Sequence, residues 1–366
     1  MKRILYLSTF VFLCITKVSA QTIDILSEDM LIGNATTPTE QTSSDSSSIF
    51  SFITKPLSLI FSAEDEVQTD TGKKETFLEK SIRQANEGKL EDQMNLGYMY
   101  LYGTNGVEQN FDNALKYYTM AAEQKDPIAL NNLGSLYFNG IGVPINTTKA
   151  LDFFQQSAEL GNDNAALNLA FIYLTGGKKD SFRNSQAIKM FQASSQNGNK
   201  IAKFMLGYAY YKGFVVDKDY EKAFKLIRSA TEENSNIDEA HLTLAKMYIE
   251  GHGTVQNYNN GIRNYRIAVN QGNVEAYMIL ANIYTIGKIV PMNLTMAHSL
   301  YNIAASLGEA GAAEKRDAIG KKLQLEELLK AQSDAQNFKA NPSELTSYIR
   351  QTYGNNIRNY IDINIP

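Results

Sequence analysis

The residue types that most often carry out catalysis are scarce in this chain and follow no catalytic pattern. Its three histidines, His241, His252 and His298, are not at metal-ligand spacing and form no H-E-x-x-H motif. The sequence also lacks the G-x-S-x-G, P-loop and dinucleotide-binding signatures. Acidic pairs such as Glu326–Glu327 are typical of solvated helix faces. We therefore predict a protein that is not an enzyme and that needs neither a metal nor another cofactor.

Cysteine chemistry would depend on one residue near the start of the chain. Cys14 is the only cysteine, and it lies in an apolar run at residues 4–16. This run follows Lys2 and Arg3 and leads to small residues ending at Ala20, which is the pattern of a secretory signal peptide. We expect cleavage after Ala20, giving an exported, periplasmic or secreted chain without disulfides or reactive thiols. The alternative, an uncleaved anchor, is disfavoured because the run is short for a bilayer span.

Charge is unevenly distributed along the sequence. The net charge is −4, and removing residues 1–20 with their three basic side chains leaves −7. Residues 21–76 contain ten acids and three lysines, so residues 77–366 are neutral. A neutral body offers no basic surface to nucleic acid or anionic lipid. We expect no nucleic-acid partner, and no transmembrane segment after signal cleavage.

Residues 21–76 differ in composition from the rest of the chain. They are rich in Ser, Thr and acidic residues and show no sustained period, which predicts an acidic, flexible linker. The apolar stretch at residues 49–61 interrupts this composition. Two interpretations of that stretch remain open: it folds back onto the main body, or it docks onto a partner or a membrane surface.

From residue 77 onward the sequence repeats itself every 36 to 38 residues. One column is always tyrosine, at Tyr100, Tyr137, Tyr173, Tyr210, Tyr248 and Tyr284. A leucine stands four residues before each tyrosine, at Leu96, Leu133, Leu169, Leu206, Leu244 and Leu280. A glycine follows three residues after each tyrosine. A fixed period in this range indicates a solenoid of stacked repeats.

Each repeat reads as two helices joined by a loop. In the first helix Ala129, Leu133 and Tyr137 share one face, because they are four residues apart. The glycine after each tyrosine stands where this helix stops. The small residue after each leucine, glycine in three repeats, predicts a close approach by a neighbouring helix. A column of polar residues predicts the N-cap of the second helix: Asn110, Asn146, Arg183, Asp219, Asn257 and Asn293.

These columns resemble the Sel1-like repeat family, a branch of the tetratricopeptide-type helical repeats. The stretch "ALNNLGSLYFNGIGVPINTTKALDFFQQSAELG" follows the family pattern closely, whereas "TGGKKDSFRNSQA" lacks the usual loop valine. The resemblance implies an all-α, right-handed α-solenoid of six repeats with capping helices at both ends, over residues 77–338. Residues 339–366 leave the pattern and form a tail, either a docking segment or an edge strand.

Two columns on the first helices are candidate partner-binding residues. Asn95, Asn132 and Asn168 precede the leucine in successive repeats and could pair with the backbone of a peptide. Tyr98, Phe171 and Tyr208 stand two residues after the leucine and could line the concave groove of the solenoid. The alternative for both columns is packing between neighbouring helices.

The resemblance implies a non-catalytic scaffold or adaptor that binds protein or peptide partners on its concave face. Family members commonly assemble complexes, act in the bacterial envelope or mediate contact with a host. One alternative is β-lactam binding and hydrolysis, as in a cysteine-rich branch of the family, although the paired cysteines of that branch are absent here. Another is an adaptor of the ER lumen, which would need glycans at Asn34, Asn146 or Asn293. The columns also explain Asn146 and Asn293 as helix caps.

Overall fold

The computed structural model describes residues 67–68, 74–174, 180–232, 237–343, 346–347 and 349–350. Several predictions concern residues outside these ranges: the signal peptide at residues 1–20, the apolar stretch 49–61, most of the linker, and residues 351–366. Within the described part of the chain, no helix is long and apolar enough to span a bilayer.

The described residues contain fifteen α-helices, and twelve of them form six consecutive pairs. The first helices of the pairs are α2 (Leu90–Tyr102), α4 (Pro127–Asn139), α6 (Asp163–Leu174), α8 (Lys200–Lys212), α10 (Asp238–Glu250) and α12 (Val274–Ile286), numbered after α1 (Phe77–Asn86). The second helices are α3 (Phe111–Glu123), α5 (Thr147–Glu159), α7 (Ser181–Gln196), α9 (Tyr220–Ala230), α11 (Tyr258–Asn270) and α13 (Leu294–Ser306). The predicted all-α solenoid is confirmed, and we number these pairs as repeats 1 to 6.

The array begins with a short β pairing and a capped helix. Strands β1 (Val67–Gln68) and β2 (Lys74–Glu75) pair antiparallel, within the segment expected to be a flexible linker. Thr76 caps α1: its hydroxyl accepts from the Glu79 N–H, and its own N–H donates to the Glu79 carboxylate at 2.9 Å.

Helices α14 (Ala312–Gly320) and α15 (Leu325–Asn337) close the other end, and both pack against α13. They cover the end of the last repeat.

Glycine ends the first helix of repeats 1, 2, 4, 5 and 6, as the column predicted. Gly140, for example, follows α4 with φ 70°, in the left-handed region where glycine is favoured. The chain then crosses a short loop to the second helix, whose N-cap side chain accepts a hydrogen bond from the backbone N–H three residues later. Asn146 does so from Lys149 at 2.9 Å, and Asn293 from Met296 at the same distance. The capping role predicted for these two residues is therefore confirmed.

Repeat 3 departs from the column. The sequence aligned Arg183 with the N-caps, and this was wrong. The cap is Asp180, whose carboxylate accepts from the Arg183 N–H at 2.9 Å. Helix α7 therefore starts three residues earlier and has 16 residues, against 13 in α5. Asp180 can act as the N-cap because its carboxylate accepts a hydrogen bond from a backbone N–H. The Arg183 guanidinium can only donate hydrogen bonds and so cannot cap a helix in this way.

The small residues after the column leucines lie against large side chains of the second helix in the same repeat. A Cβ built on Gly134 would be 2.7 Å from the Phe154 ring, and one on Gly97 would be equally close to Tyr118. Gly207 faces Ile227 in the same way. The predicted close approach is confirmed, and it sets the spacing of the two helices within a repeat.

The buried core runs along the stack rather than within single repeats. One apolar cluster joins Leu167 of repeat 3 through Phe204 of repeat 4 to Met247 of repeat 5. A second cluster continues from Tyr265 of repeat 5 to Ile319 in the C-terminal cap. Each repeat thus completes its core with a neighbour, as expected when one helix pair cannot bury its own apolar face.

Candidate partner-binding surface

The asparagine column lies inside the protein. Asn132 and Asn168 are 0% and 1% exposed, and Asn95 is 5% exposed. The side-chain amide of Asn168 donates to Oδ1 of Asn131 at 3.0 Å, which connects repeat 3 to repeat 2. A residue one position before the leucine is rotated by about 100° around the helix from it, and in repeat 3 this side chain meets the preceding repeat. The structure corrects the expectation of a peptide ladder: these buried amides pack and bond between neighbouring helices.

The aromatic column divides into buried and partly exposed members. Phe171 is 1% exposed and makes an edge contact with Phe191, with ring centroids 5.7 Å apart. It is therefore a core residue, and the expectation that it lines an open groove was wrong. Tyr208 is 6% exposed. Tyr98 is partly exposed and lies 4.5 Å from the Tyr102 ring, centroid to centroid.

Tyr208 begins a continuous row of aromatic rings that crosses from repeat 4 to repeat 5. Its centroid is 6.1 Å from Tyr211, and Tyr211 is 5.7 Å from Tyr220. Tyr220 in turn stacks on His252 with centroids 4.1 Å apart and planes 3° from parallel. Tyr211, Tyr220 and His252 are all partly exposed. We call Tyr208, Tyr211, Tyr220 and His252 the aromatic row.

Local geometry explains how these four rings come together. Tyr208 and Tyr211 are one turn apart on α8. Gly213 ends that helix in the left-handed conformation and lets the chain return, so that Tyr220 is the first residue of α9. His252 follows the equivalent glycine of repeat 5. The row therefore lies at the loop side of the array, where first helices end and second helices begin.

Side chains of both charges border the aromatic row. Lys212 Nζ is 5.8 Å from the ring centroids of both Tyr208 and Tyr211. Burial, together with the nearby Lys246, lowers the pKa of Lys212. His252 Nδ1 lies 2.9 Å from Oε2 of Glu250, close enough for an ion pair once the imidazole is protonated. Burial raises the pKa of Tyr211, so its hydroxyl stays neutral and can donate a hydrogen bond.

A charged pair extends this surface to repeat 6. Lys246 Nζ contacts Oε1 of Glu275 at 2.6 Å, between α10 and α12. The Lys246 side chain is 28% exposed, and that of Glu275 is 56% exposed. On such a surface the aromatic rings can exclude water from the centre of an interface. The charged side chains of both signs around them can orient a partner.

The two remaining histidines are structural. His241 is 4% exposed, and its Nδ1 hydrogen bonds to Oδ1 of Asn264 at 2.7 Å, in agreement with the expected structural role. His298 is also buried, at 4% exposure. Across the described ranges, no three or more His, Cys, Asp or Glu side chains are grouped so that they could hold a metal ion.

Sequence reasoning found Tyr208 and missed its three neighbours. The spacing of Tyr208 and Tyr211 by one helical turn is visible in the sequence and could have identified the pair. The contact between Tyr220 and His252 could not be predicted from the sequence, because it joins the loops of two repeats and depends on how those repeats stack.

Comparison with known proteins identifies the repeats. The Sel1 repeat model matches six consecutive segments that together make up more than half of the chain: residues 90–126, 127–162, 163–199, 200–235, 238–273 and 274–309.

Two curated proteins are similar over part of the chain. The ERAD-associated E3 ubiquitin-protein ligase component HRD3B of Arabidopsis thaliana is 29% identical over 120 residues, covering 32% of this chain and 19% of that protein. A putative sel1-like repeat-containing protein, L21 of Acanthamoeba polyphaga mimivirus, is 35% identical over 92 residues, covering 25% of this chain and 16% of that one. The chain thus spans less than a fifth of the length of these relatives.

Solved structures share the fold over longer stretches. A protective antigen present in uropathogenic Escherichia coli strains, which displays an SLR fold, superposes with a TM-score of 0.63 and 25% identity. It covers 75% of this chain and 58% of its own. A Sel1 repeat protein from Oxalobacter formigenes gives a TM-score of 0.51 and 26% identity, covering 60% of this chain and 86% of its own. The six matched segments coincide with the six helix pairs, and the chain belongs to the Sel1 repeat family.

Proposed function

We propose that this protein is a non-catalytic scaffold that binds a protein partner through the aromatic row. The observation that carries the proposal is the continuous set of ring contacts from Tyr208 to His252, which crosses a repeat boundary and is partly exposed. Tyrosine rings bury a large area at a small cost in side-chain entropy, and their hydroxyls remain available for hydrogen bonds. Such residues often dominate binding energy at protein interfaces.

Membership of the family supports a role in protein interaction, because Sel1 repeats typically serve as interaction scaffolds. The name of the Arabidopsis relative describes a component of a ligase, which is an assembly of proteins. Of the three histidines, His241 and His298 are buried, and only His252 in the aromatic row is partly exposed.

We further propose that the scaffold acts outside the cytoplasm. The signal-like residues 1–20 and the lack of cysteine beyond Cys14 support export. Sequencing the N-terminus of protein isolated from its native cells tests this directly. A mature chain that starts at Gln21 is expected, and a cytoplasmic chain that still carries Met1 or Lys2 would contradict export.

The partner surface is tested by crosslinking in native cells, identification of the captured protein, and measurement of its affinity for purified variants. We expect Tyr211→Ala combined with Tyr220→Ala to weaken binding at least tenfold, since each lost aromatic anchor costs about 1–2 kcal/mol or more. Tyr258→Ala is the matched control, because Tyr258 is the first residue of α11 as Tyr220 is of α9, and it is 41% exposed.

Circular dichroism must first show that each variant keeps its helices. Equal affinity of the folded double variant and the wild type would remove the aromatic row from the interface. The partly exposed pair Tyr98 and Tyr102 in repeat 1 would then be examined by the same measurement.

A further inference from the structure

The chain does not leave the solenoid after the last helix but folds back across repeat 6 onto repeat 5. Phe338, directly after α15, makes an edge contact with Tyr277, with centroids 5.8 Å apart. Further on, the Asn341 N–H donates to the Asn270 carbonyl at 2.7 Å, and the Ser343 N–H donates to Oε1 of Gln271 at 2.6 Å. The tail is therefore held through its backbone by the turn that ends α11.

Ser343 caps the helical residues that the structure describes further along the tail. The Thr346 N–H donates to the Ser343 hydroxyl at 3.0 Å, and the Ser347 N–H donates to its carbonyl at 2.9 Å. Residues 346–347 and 349–350 are helical, so this part of the tail is not the edge strand that the sequence left open. Thr346 is 0% exposed, and Ile349 is 4% exposed and belongs to the same apolar cluster as Ile237.

Arg350 adds a charged anchor to this turn. Its Nη2 donates to Oδ2 of Asp238 at 2.8 Å and to the Gln271 carbonyl at 2.7 Å. The Asp238 side chain is only 6% exposed, and the Asn273 amide also donates to it, at 3.2 Å. A buried carboxylate that is already oriented by an amide favours a guanidinium partner, because an unpaired buried carboxylate is strongly destabilising.

Gly272 permits the close approach of the tail. A Cβ on Gly272 would be 3.0 Å from Cβ of Ala340 and 3.5 Å from Nη1 of Arg350. Gly161, Gly198 and Gly308 follow the second helices of other repeats with the same positive φ, and among the described residues nothing lies within 4 Å of a Cβ built on any of them. Repeat 5 therefore offers the tail a buried carboxylate, backbone carbonyls that accept hydrogen bonds, a buried apolar cluster and space for close approach. We call Asp238, Asn270, Gln271 and Gly272 the tail site.

We propose that the tail site is a peptide-binding site, which the described tail residues 341–343, 346–347 and 349–350 occupy in cis and which recognises a partner peptide of the same chemistry. That chemistry is a serine-capped helical turn that ends in a buried aliphatic residue followed by arginine. The cis segment is tethered by a few residues, and short tethers give effective concentrations in the mM range. A partner peptide therefore gains access when the tail is released. This inference does not depend on the aromatic row, which lies at the opposite ends of the first helices.

The test uses the full chain with its tail displaced by charge. In the Arg350→Glu variant, we expect hydrogen exchange in residues 338–350 to become at least tenfold faster than in the wild type. A fluorescent peptide with the sequence of residues 339–352 should then bind this variant with an affinity at least tenfold higher than it binds the wild type. The same variant carrying Asp238→Asn should lose most of that binding. Unchanged exchange, equal binding to all three chains, or no binding to the Arg350→Glu chain would each overturn the proposal.

A second pair of variants covers the case in which Arg350→Glu fails to fold. Gly272→Ala and Gly308→Ala impose the same left-handed backbone cost at equivalent positions, but only the first brings a Cβ against the tail. We expect faster exchange of the tail in Gly272→Ala alone. Equal tail exchange in both variants would contradict the close docking on which the peptide site rests.

Discussion

The backbone N–H of Asn146 donates to the carbonyl of Tyr137 at 2.9 Å, joining the N-cap of one helix to the last turn of the helix before it. The same bond recurs in repeats 1, 4, 5 and 6, between Asn110 and Tyr100, Asp219 and Tyr210, Asn257 and Tyr248, and Asn293 and Tyr284. In these repeats a backbone hydrogen bond between the column tyrosine and the N-cap residue therefore closes the loop between the two helices. The two columns are nine residues apart in repeats 2, 4, 5 and 6 and ten apart in repeat 1, so the bond forms across loops that differ by one residue.

The cap at Asn146 should contribute measurably to stability. Asn146→Ala removes the side-chain acceptor for the Lys149 N–H and should lower the free energy of unfolding by about 1 kcal/mol. Urea unfolding followed by circular dichroism measures this. Asn146→Ser is the control, since serine caps helices but cannot carry an N-linked glycan. A loss of stability in both variants would point to a glycan rather than to a cap.

The contact between Gly134 and Phe154 should make even a methyl group costly. Gly134→Ala would gain about 1 kcal/mol of helix propensity but would force the Phe154 ring to move, at a cost of about 1–3 kcal/mol. We expect a lower melting temperature, and partial recovery when Phe154→Leu is added. A more stable single variant would show that the ring can move aside freely.

The correction at Phe171 leads to a prediction about two aromatic residues of the first helices. Phe171→Ala should cost about 3–5 kcal/mol of stability, because the ring is buried against Phe191. Tyr211→Ala should cost clearly less, because Tyr211 is partly exposed. Unfolding midpoints of the two variants decide the order, and a reversed order would contradict the assignment of Phe171 to the core.

Glu239 should make stability depend on pH. Burial raises its pKa from the ordinary 4.5 to about 7, and the nearby Asp238 and Glu275 act in the same direction. When a carboxyl group binds its proton more tightly in the folded state than in the unfolded state, the folded protein loses stability as the pH rises from the ordinary pKa to the raised pKa. We therefore expect the wild type to lose stability between pH 4.5 and 7 relative to Glu239→Gln, with melting temperatures recorded at each pH.

His241 has the opposite effect in an overlapping pH range, so the comparison must be made between variants. Burial lowers its pKa below the ordinary 6.5, and its stabilising contribution is lost as pH falls below that value. The difference between the wild type and Glu239→Gln cancels this shared contribution. A difference that stays constant from pH 4.5 to 7 would show that Glu239 is solvated like an ordinary surface carboxylate.

The sequence predicted those parts of the fold that depend on one repeat alone. The helix stop at Gly140, the cap at Asn146 and the small residue at Gly134 each follow from local backbone or packing requirements. The column alignment failed at Arg183, because it placed every cap four residues before the small residue of the second helix, here Ala187, whereas Asp180 caps that helix three residues earlier.

Predictions that depended on neighbouring repeats were weaker. The exposure of Asn168 and Phe171 is decided by how repeat 3 rotates against repeats 2 and 4, and no local pattern records that rotation. The tail site could not be predicted from the sequence either, because Arg350 and Asp238 are 112 positions apart in the chain. Periodicity identifies the members of a repeat but not the contacts made by residues outside it.

The buried amide bond between Asn168 and Asn131 has a consequence for how such an array can change by duplication or exchange of its units. In repeat 4 the two corresponding positions are Met205 and Phe204, which are also buried. If repeat 3 directly followed a copy of repeat 4, the Asn168 amide would face Phe204 in place of Asn131 and lose that hydrogen bond, at a cost of about 1–3 kcal/mol. The repeats therefore share a shape but cannot all exchange positions, because buried hydrogen bonds such as the one between Asn168 and Asn131 form only between particular neighbours.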